Sequence, residues 1–465
     1  MDKLQDILEG VSEKVTPTRR QHAEIEKILK KVTAKTEEIT KHLDVGYTIA
    51  GSFMRDTYML DKREFDLFLM FPENTPREEL ERKGLMLGKR IIKELRGSHV
   101  VAYAEHPYIR GKINGFDVDI VPAYSVKDAS NIKSAVDRTP FHNRWLKRHL
   151  SKRLVTEVRL LKQFLKGQGL YGSDTKTEGF SGYLCELLIV DYKYFAKLLK
   201  NSGKWRPGEI MLNPGNHKMD PELTRRKFRS EPLIVIDPVD PNRNVASVVS
   251  PANFMKFVSA SREFLEKPAI DFFFPKHAVN LAKLGKTMNS RGTEFLAVEF
   301  DAPKILPDIL YPQLRRTAQR LFKFLKENEF SPMGWEVFSN GKSYIFMELE
   351  VWTLPKVRKL TGPPVFSKKH SKEFVGKYKS RGRVWTEGDI HVAEVNRVHL
   401  TAGGCLREFL KDNKTGLKEK GIASYIAEAI RKNHKILDKG ALNSRAKKNP
   451  ELAQFLWNYL NREFY

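Results

Sequence analysis

The chain has 465 residues, 41% of them hydrophobic and 28 of them Phe; this excludes a disordered chain and exceeds what one core can organise, so two to four domains are expected. The 82 Lys and Arg outnumber the 57 Asp and Glu to leave a formal charge of +25, spread along the whole length, which implies a polyanionic partner met over a wide surface. No apolar run nears the ~18 residues needed to span a bilayer and neither end carries a basic amphipathic anchor, so a membrane reading is excluded and nucleic acid is favoured.

Cys185 and Cys405 stand in unlike contexts, so neither a disulfide framework nor a zinc site is expected. Charges from Asp2 onward exclude a secretory signal, and a reducing cytoplasm is the expected compartment.

In chain order, residues 1–44 read as helix, with Thr16 as an N-cap ahead of a first-turn Pro17. Tyr47 to Ala50 reads as a strand running into Gly51-Ser52, and Asp66 to Met70 as the next. A helix over Glu78 to Leu95 and strands over Val100 to Ala104, Tyr108 to Ile113 and Phe116 to Val121 complete a small mixed sheet. From Thr139 the pattern turns helical over 140–150, 154–168 and 178–200; Gly182 to Phe195 is apolar almost all round and should be central. Arg206 to Pro221 reads as loop, and strand-like Leu233 to Ile236 ends at the turn Asp237-Pro238-Val239-Asp240-Pro241. A helix over 251–266, strands near 270–274 and 295–300, a helix over 312–328 and paired strands over 331–338 and 343–352 follow. The last hundred residues read as basic and largely helical, with an apolar-aromatic stretch from Leu452 to Tyr459.

The chemistry is concentrated in three short pieces. Successive side chains alternate on a strand, so Glu64 and Asp66 share one face, as do Asp117 and Asp119. Like charges gathered on one side of otherwise apolar strands are costly unless a cation compensates. Hard oxygen ligands suit magnesium, and magnesium held by a few carboxylates usually meets substrate phosphates. Gly51-Ser52 adds a backbone-accessible turn and a hydroxyl for those phosphates. The bland alternative for a single Glu-x-Asp is a solvated edge strand, but the flanks here are too apolar for one. A phosphoryl-transfer site is expected.

Gly-Ser, then Glu-x-Asp, then a third Asp in a later strand resembles the polymerase-β-like nucleotidyltransferase superfamily. Longer segments narrow the resemblance: Ala104-Glu105-His106-Pro107-Tyr108, Asn131 to His142, Gly179 to Leu188, and Asp237-Pro238-Val239-Asp240. Together they resemble the archaeal, class I, CCA-adding enzymes, densely from about residue 45 to 250 and more thinly beyond. The resemblance implies an α+β multidomain protein with a polymerase-β-like head (1–148), a helical neck (149–250), an RNA-recognition-like α/β body (251–365) and a basic tail (366–465). It further implies template-independent addition of the 3′-terminal CCA of tRNA from CTP and ATP, by two-metal in-line transfer with two Mg2+ ions.

Under that resemblance Glu64, Asp66 and Asp119 are the catalytic, metal-binding carboxylates, with Asp119 nearer the attacking hydroxyl. Asp117 is a neighbouring acid whose role stays open between support and structure. Gly51, Ser52 and Arg55 match the positions that hold the triphosphate, and His142, Lys162 and Tyr171 match nucleotide contacts of the neck. Arg243 matches an arginine that reads the incoming base together with RNA. Taken singly, His142, Lys162 and Tyr171 are ordinary packing or surface residues, and it is the matching segments around them that single them out. The implied partners are tRNA through its acceptor–TΨC minihelix, CTP and ATP, with a homodimer as an optional assembly. The rivals are another RNA nucleotidyltransferase, such as a poly(A) polymerase, and a non-catalytic RNA-binding protein on the same fold.

Overall fold

The computed structural model describes residues 3–103, 106–275 and 279–461, and the chain folds as two units that divide near residue 276. The first unit opens with helices α1 (Lys3–Val15) and α2 (Arg19–Thr40), so the single helix expected over 1–44 is broken. Thr18, not Thr16, caps α2. The Thr18 hydroxyl accepts from the Gln21 amide at 3.3 Å while Gln21 Oε1 accepts from the Thr18 amide at 2.8 Å, a reciprocal pair that Thr16 lacks the spacing to make.

Strands β1 (Gly46–Ala50), β2 (Glu64–Pro72), β3 (Ser98–Tyr103), β4 (Pro107–Ile113) and β5 (Phe116–Ser125) form one sheet in the order β1-β2-β5-β4-β3. Helix α3 (Arg77–Glu94) carries the chain back across the sheet, which is why β2 and β5 can pair in parallel while the other neighbours are antiparallel. Phe65, Leu67 and Leu69 of β2 and Val118 and Ile120 of β5 point into a core shared with Leu87 and Ile91 of α3. The alternate residues Glu64, Asp66, Asp117 and Asp119 are therefore driven to the other face. Ala104 and Glu105, which end an expected strand and open a matched segment, lie outside the described residues.

The rest of the first unit is α4 (Thr139–His149), α5 (Lys152–Gly167), α6 (Gly182–Tyr192), α7 (Phe195–Ser202), β6 (Ile210–Leu212), α8 (Pro221–Lys227), β7 (Leu233–Asp237), β8 (Asp240–Asn244) and α9 (Pro251–Glu266). Leu184 through Val190 of α6 are all buried, as a helix apolar on every side requires. The helix expected over 178–200 starts later and breaks at Lys193, whose φ of 70° leaves the helical region; Phe180 instead bridges Tyr171. Residues 270–274 are not a strand. They form a 3-10 turn (Ile270–Phe272), and Phe272 and Phe273 close an aromatic cluster with Phe164, Phe195 and Phe264. The turn brings both side chains into one cluster, whereas a strand would send them to opposite faces.

In the second unit a helix over Leu281–Ser290, not anticipated from sequence, precedes a four-stranded sheet. That sheet runs Ser331–Asn340, Lys342–Val351, Glu294–Asp301, His434–Leu437 in spatial order. Leu296, Val298 and Met347 pack on one side with Leu314 and Leu321 of helix Pro307–Glu327; Phe295, Ala297 and Phe346 pack on the other with Leu452 and Leu456 of helix Pro450–Leu460. A second sheet of Val357–Pro364, Ile390–Asn396 and Gly382–Glu387 was not anticipated, while the last hundred residues are otherwise mainly helical as expected, over Lys368–Tyr378, Ala402–Leu410, Lys414–Glu419, Ser424–Lys432, Lys439–Lys448 and Pro450–Leu460. Gly382–Glu387 has no buried residue, so no apolar alternation marks it as strand.

Candidate active site

The parallel register sets Asp66 directly opposite Asp119, and Glu64 opposite Asp117. Gly51 sits against the same point: its φ is +87°, and a Cβ added there would lie 3.0 Å from Asp66 Oδ2. Only glycine lets the chain turn from β1 into the 3-10 turn Ser52–Arg55 that close to a carboxylate. Burial, then the charges of Asp119 and Glu64, push the Asp66 carboxyl up to about 7. Asp119 receives the Arg110 guanidinium in a two-pronged contact, Nε to Oδ1 at 2.9 Å and Nη2 to Oδ2 at 2.8 Å, and Arg110 Nη2 also reaches the Tyr108 hydroxyl at 2.8 Å. Glu64 pairs with Lys62 at 3.0 Å, and Asp117 is exposed.

With Asp119 on Arg110 and Glu64 on Lys62, no three acidic, His or Cys side chains among the described residues converge closely enough to enclose a metal ion as they stand. The donor set nevertheless fits a hard divalent cation. It is all oxygen, it lies on one face of two adjacent strands, and a cation would offset the burial and the repulsion by Asp119 and Glu64 that raise the Asp66 carboxyl to about 7.

Beside this face lies a largely buried charge cluster. The Glu186 carboxylate of α6 accepts Arg55 Nε at 3.0 Å and Nη2 at 2.9 Å, takes the Thr57 hydroxyl, and has Lys162 Nζ of α5 at 3.6 Å. Arg55 also donates to Asn143 Oδ1, and Lys162 to the Thr57 carbonyl at 2.8 Å. Burial opposes charge on Glu186, but Arg55, Lys162 and the Thr57 hydroxyl overcome it and hold the carboxyl below its ordinary range. Burial likewise depresses Lys162 against the pull of Glu186. Tyr171 points at the same place: a Cβ on Gly182 would lie 3.2 Å from the Tyr171 hydroxyl and 3.5 Å from Lys162 Nζ. Three of the sequence-designated residues, Arg55, Lys162 and Tyr171, thus gather at the start of α6, with the two cations on a shared counter-ion.

The other two designated neck residues gather on Asp237. His142 Nε2 lies 2.9 and 3.0 Å from its two oxygens and Arg243 Nη1 donates to Oδ2 at 2.6 Å. Tyr183 packs on the His142 ring at 4.3 Å between centroids. Arg138 donates to Asp240 Oδ2 at 3.1 Å, so the segments 137–142 and 237–240 interlock. Asp137 is purely local: its carboxylate caps the Tyr124 and Ser134 amides at 2.8 and 2.7 Å.

Glu186 and Asp237 were not singled out from sequence. Glu186 carried a readable signal, since a carboxylate inside Leu184-Cys185-Glu186-Leu187-Leu188 must find a buried partner. Asp237 stood only as one member of the matched segment Asp237-Pro238-Val239-Asp240, with no role of its own.

Comparison with known proteins covers most of the chain. A nucleotidyltransferase domain matches residues 25–142, the second domain of tRNA nucleotidyltransferases residues 156–274, and the C-terminal domain of CCA-adding enzymes residues 291–439. The CCA-adding enzyme of Methanosarcina acetivorans is 37% identical over 435 residues, 92% of this chain and 94% of that protein. That of Archaeoglobus fulgidus is 38% identical over 397 residues, 82% and 86% of the two chains, and that of Methanocaldococcus jannaschii 38% over 384 residues, 81% and 84%.

Proposed function

We propose, because the chain belongs to the family of archaeal CCA-adding enzymes, that it builds or repairs the 3′-terminal CCA of tRNA from CTP and ATP, releasing pyrophosphate. The observation that carries the reading is the register that puts Asp66 beside Asp119 with Gly51 packed on the same carboxylate. Glu64, Asp66 and Asp119 would hold two Mg2+ ions. Magnesium bound there supplies charge neutralisation on the triphosphate and favours the deprotonated form of the attacking 3′-hydroxyl. The chain's own groups do the rest. The amides of the 51–55 turn and the Ser52 hydroxyl meet phosphate oxygens. Arg55 and Lys162, sharing Glu186 as a counter-ion, bring two basic side chains to the triphosphate end, and Tyr171 closes that side. Arg243 and His142 face the base. Asp119, on the strand beside Asp66, is placed for the hydroxyl of the RNA end.

The four-part division into head, neck, body and tail belongs to the same proposal, as does an acceptor–TΨC minihelix held along backbone and shape by basic surface. Every proposed site residue comes from the first unit of one chain, so the reading needs no homodimer. Among the described residues no helix is long and apolar enough to cross a membrane, and we place the enzyme in the cytoplasm with its tRNA substrate.

The deciding experiment is magnesium-dependent extension of a tRNA transcript lacking CCA. CTP alone should add two C residues, and ATP supplied next should add one A. A long A tail with CTP ignored would identify a poly(A) polymerase; tight binding with no incorporation would identify a non-catalytic RNA-binding protein.

In the same assay Gly51→Ala is expected to cost roughly 100-fold in kcat/KM, with a drop of about 2–8 °C in melting temperature. A Cβ there meets both a positive φ, worth about 1–2 kcal/mol, and Asp66 Oδ2 at 3.0 Å, so it displaces the catalytic turn rather than the core. A variant within a few-fold of wild type would remove the turn from the site.

A further inference from the structure

Asp237 holds both neck residues assigned to the nucleotide base, yet its side chain has no exposure of its own. Its Oδ1 accepts from His142 Nε2 at 3.0 Å, the Val239 amide at 3.0 Å and the Tyr183 hydroxyl at 3.4 Å; its Oδ2 accepts from His142 Nε2 at 2.9 Å and Arg243 Nη1 at 2.6 Å. A carboxylate so fully engaged cannot also touch a substrate. It can only fix what surrounds it. Burial opposes its charge, but the bonds from His142, the Val239 amide and Arg243 overcome this and keep it below the ordinary carboxylate range. An ionised carboxylate only accepts, so the proton between it and the imidazole belongs to His142 Nε2, which leaves Nδ1 as the ring's other position.

Arg243 is different: its side chain is 40% exposed, and one terminal nitrogen alone is committed to Asp237. The remaining N–H groups are available to a ligand. A guanidinium only donates. Cytosine N3 and adenine N1 accept, whereas uracil N3 and guanine N1 carry hydrogens. A donor pinned opposite that ring position therefore accepts CTP and ATP and opposes UTP and GTP, because two facing donors leave both unpaired. The rejection holds only while the arginine cannot swing aside, and a free Arg side chain has about 2 kcal/mol of rotamer entropy with which to do so.

We propose that Asp237 is a positioning residue for base selection, pinning the Arg243 guanidinium and the His142 ring so that the site presents a fixed donor to the ring-nitrogen edge of the incoming base. This rests on Arg243 reading the base, as proposed above. The juxtaposition, not any single residue, is what supports it: segments 137–142 and 237–243 meet through Asp237, and both residues assigned to the base hang from it.

The test uses the full chain and a tRNA lacking CCA, or ending in CC, with each of the four nucleotides supplied singly. Asp237→Asn is expected to raise KM for CTP and ATP about threefold, with kcat moving less, and to raise UTP and GTP incorporation about threefold, so that discrimination falls about tenfold. In an Arg243→Ala background the same substitution should change discrimination less than about twofold. Asp240→Asn, which frees Arg138 from the same turn, should leave discrimination intact. An equal loss with all four nucleotides, a full additional effect beside Arg243→Ala, or an equal loss of discrimination in Asp240→Asn would overturn the inference. Should Asp237→Asn fail to fold, Asp237→Glu is judged by the same criteria. If Arg243→Ala alone leaves discrimination untouched, the base-reading assignment is what fails, a result distinct from any of these.

Discussion

Asp119→Ala is expected to abolish nucleotide addition, lowering kcat by at least about 10³-fold, while changing the Kd for tRNA less than about threefold. The carboxylate stands opposite Asp66 in the parallel register, so its loss removes one of three oxygen donors from the proposed metal site. Charge stabilisation of a phosphoryl transition state by bound magnesium is worth several kcal/mol, and about 4 kcal/mol is a factor of roughly 10³. The fold has little to lose. Arg110 and Asp119 are 55% and 21% exposed, and a pair that open to water contributes on the order of 0–1 kcal/mol. Binding has little to lose either, because the affinity of a chain with net charge +25 for RNA comes from a wide basic surface rather than from one acidic residue. Single-turnover incorporation and filter binding on the same preparation separate the two effects. Matching losses in both would show that Asp119 supports the structure rather than the reaction. Asp117→Ala is the internal contrast: exposed and paired in register with Glu64, it should stay within about tenfold of wild type.

The sheet of residues 46–125 was legible because its signals are local and mutually consistent. Alternation put Phe65, Leu67 and Leu69 inward and Glu64 and Asp66 outward, and the structure keeps that division. What no alternation could give was the register of β2 against β5, which depends on α3 bridging the two strands; yet that register is what makes three carboxylates a candidate site. Long-range partners were hidden for the same reason. Arg55 and Glu186 are 131 positions apart, and His142 and Asp237 are 95, so neither pair leaves a periodic trace. Thr16 looked like a cap because Pro17 follows it, but a reciprocal bond with a residue three positions on outweighs a favourable dipeptide. The sheet of the second unit was missed where its strands are solvated: Gly382–Glu387 exposes charged and aromatic side chains alike, and a strand without a buried face carries no hydrophobic pattern. The aromatic turn at Ile270–Phe272 failed for the opposite cause, since Phe272 and the following Phe273 are both buried and Ile270 and Phe274 pack against the same core, leaving no alternation to separate turn from strand.

Asp66→Asn should likewise eliminate incorporation, but with the opposite sign on stability: the metal-free variant is expected to be more stable than wild type above neutral pH. The folded-state pKa of Asp66 is about 7 against an ordinary value of 3.8. Between those two values the folded protein holds a proton that the unfolded chain has already released. Stability contributed through this group therefore falls as pH rises across that window, by about 1.4 kcal/mol per unit and at most about 4 kcal/mol in all, and the penalty is complete above pH 7. An amide cannot ionise and escapes it. At pH 8 without magnesium the variant should melt several degrees above wild type, and at pH 4 the two should nearly coincide. Magnesium should narrow the gap at pH 8 by stabilising wild type alone, since a cation among Glu64, Asp66 and Asp119 converts repulsion into attraction. The three measurements constrain one another. A variant no more stable than wild type at pH 8 would mean that water or Arg110 already neutralises the cluster. A gap that magnesium leaves unchanged would mean that the carboxylates repel one another for some purpose other than holding a metal.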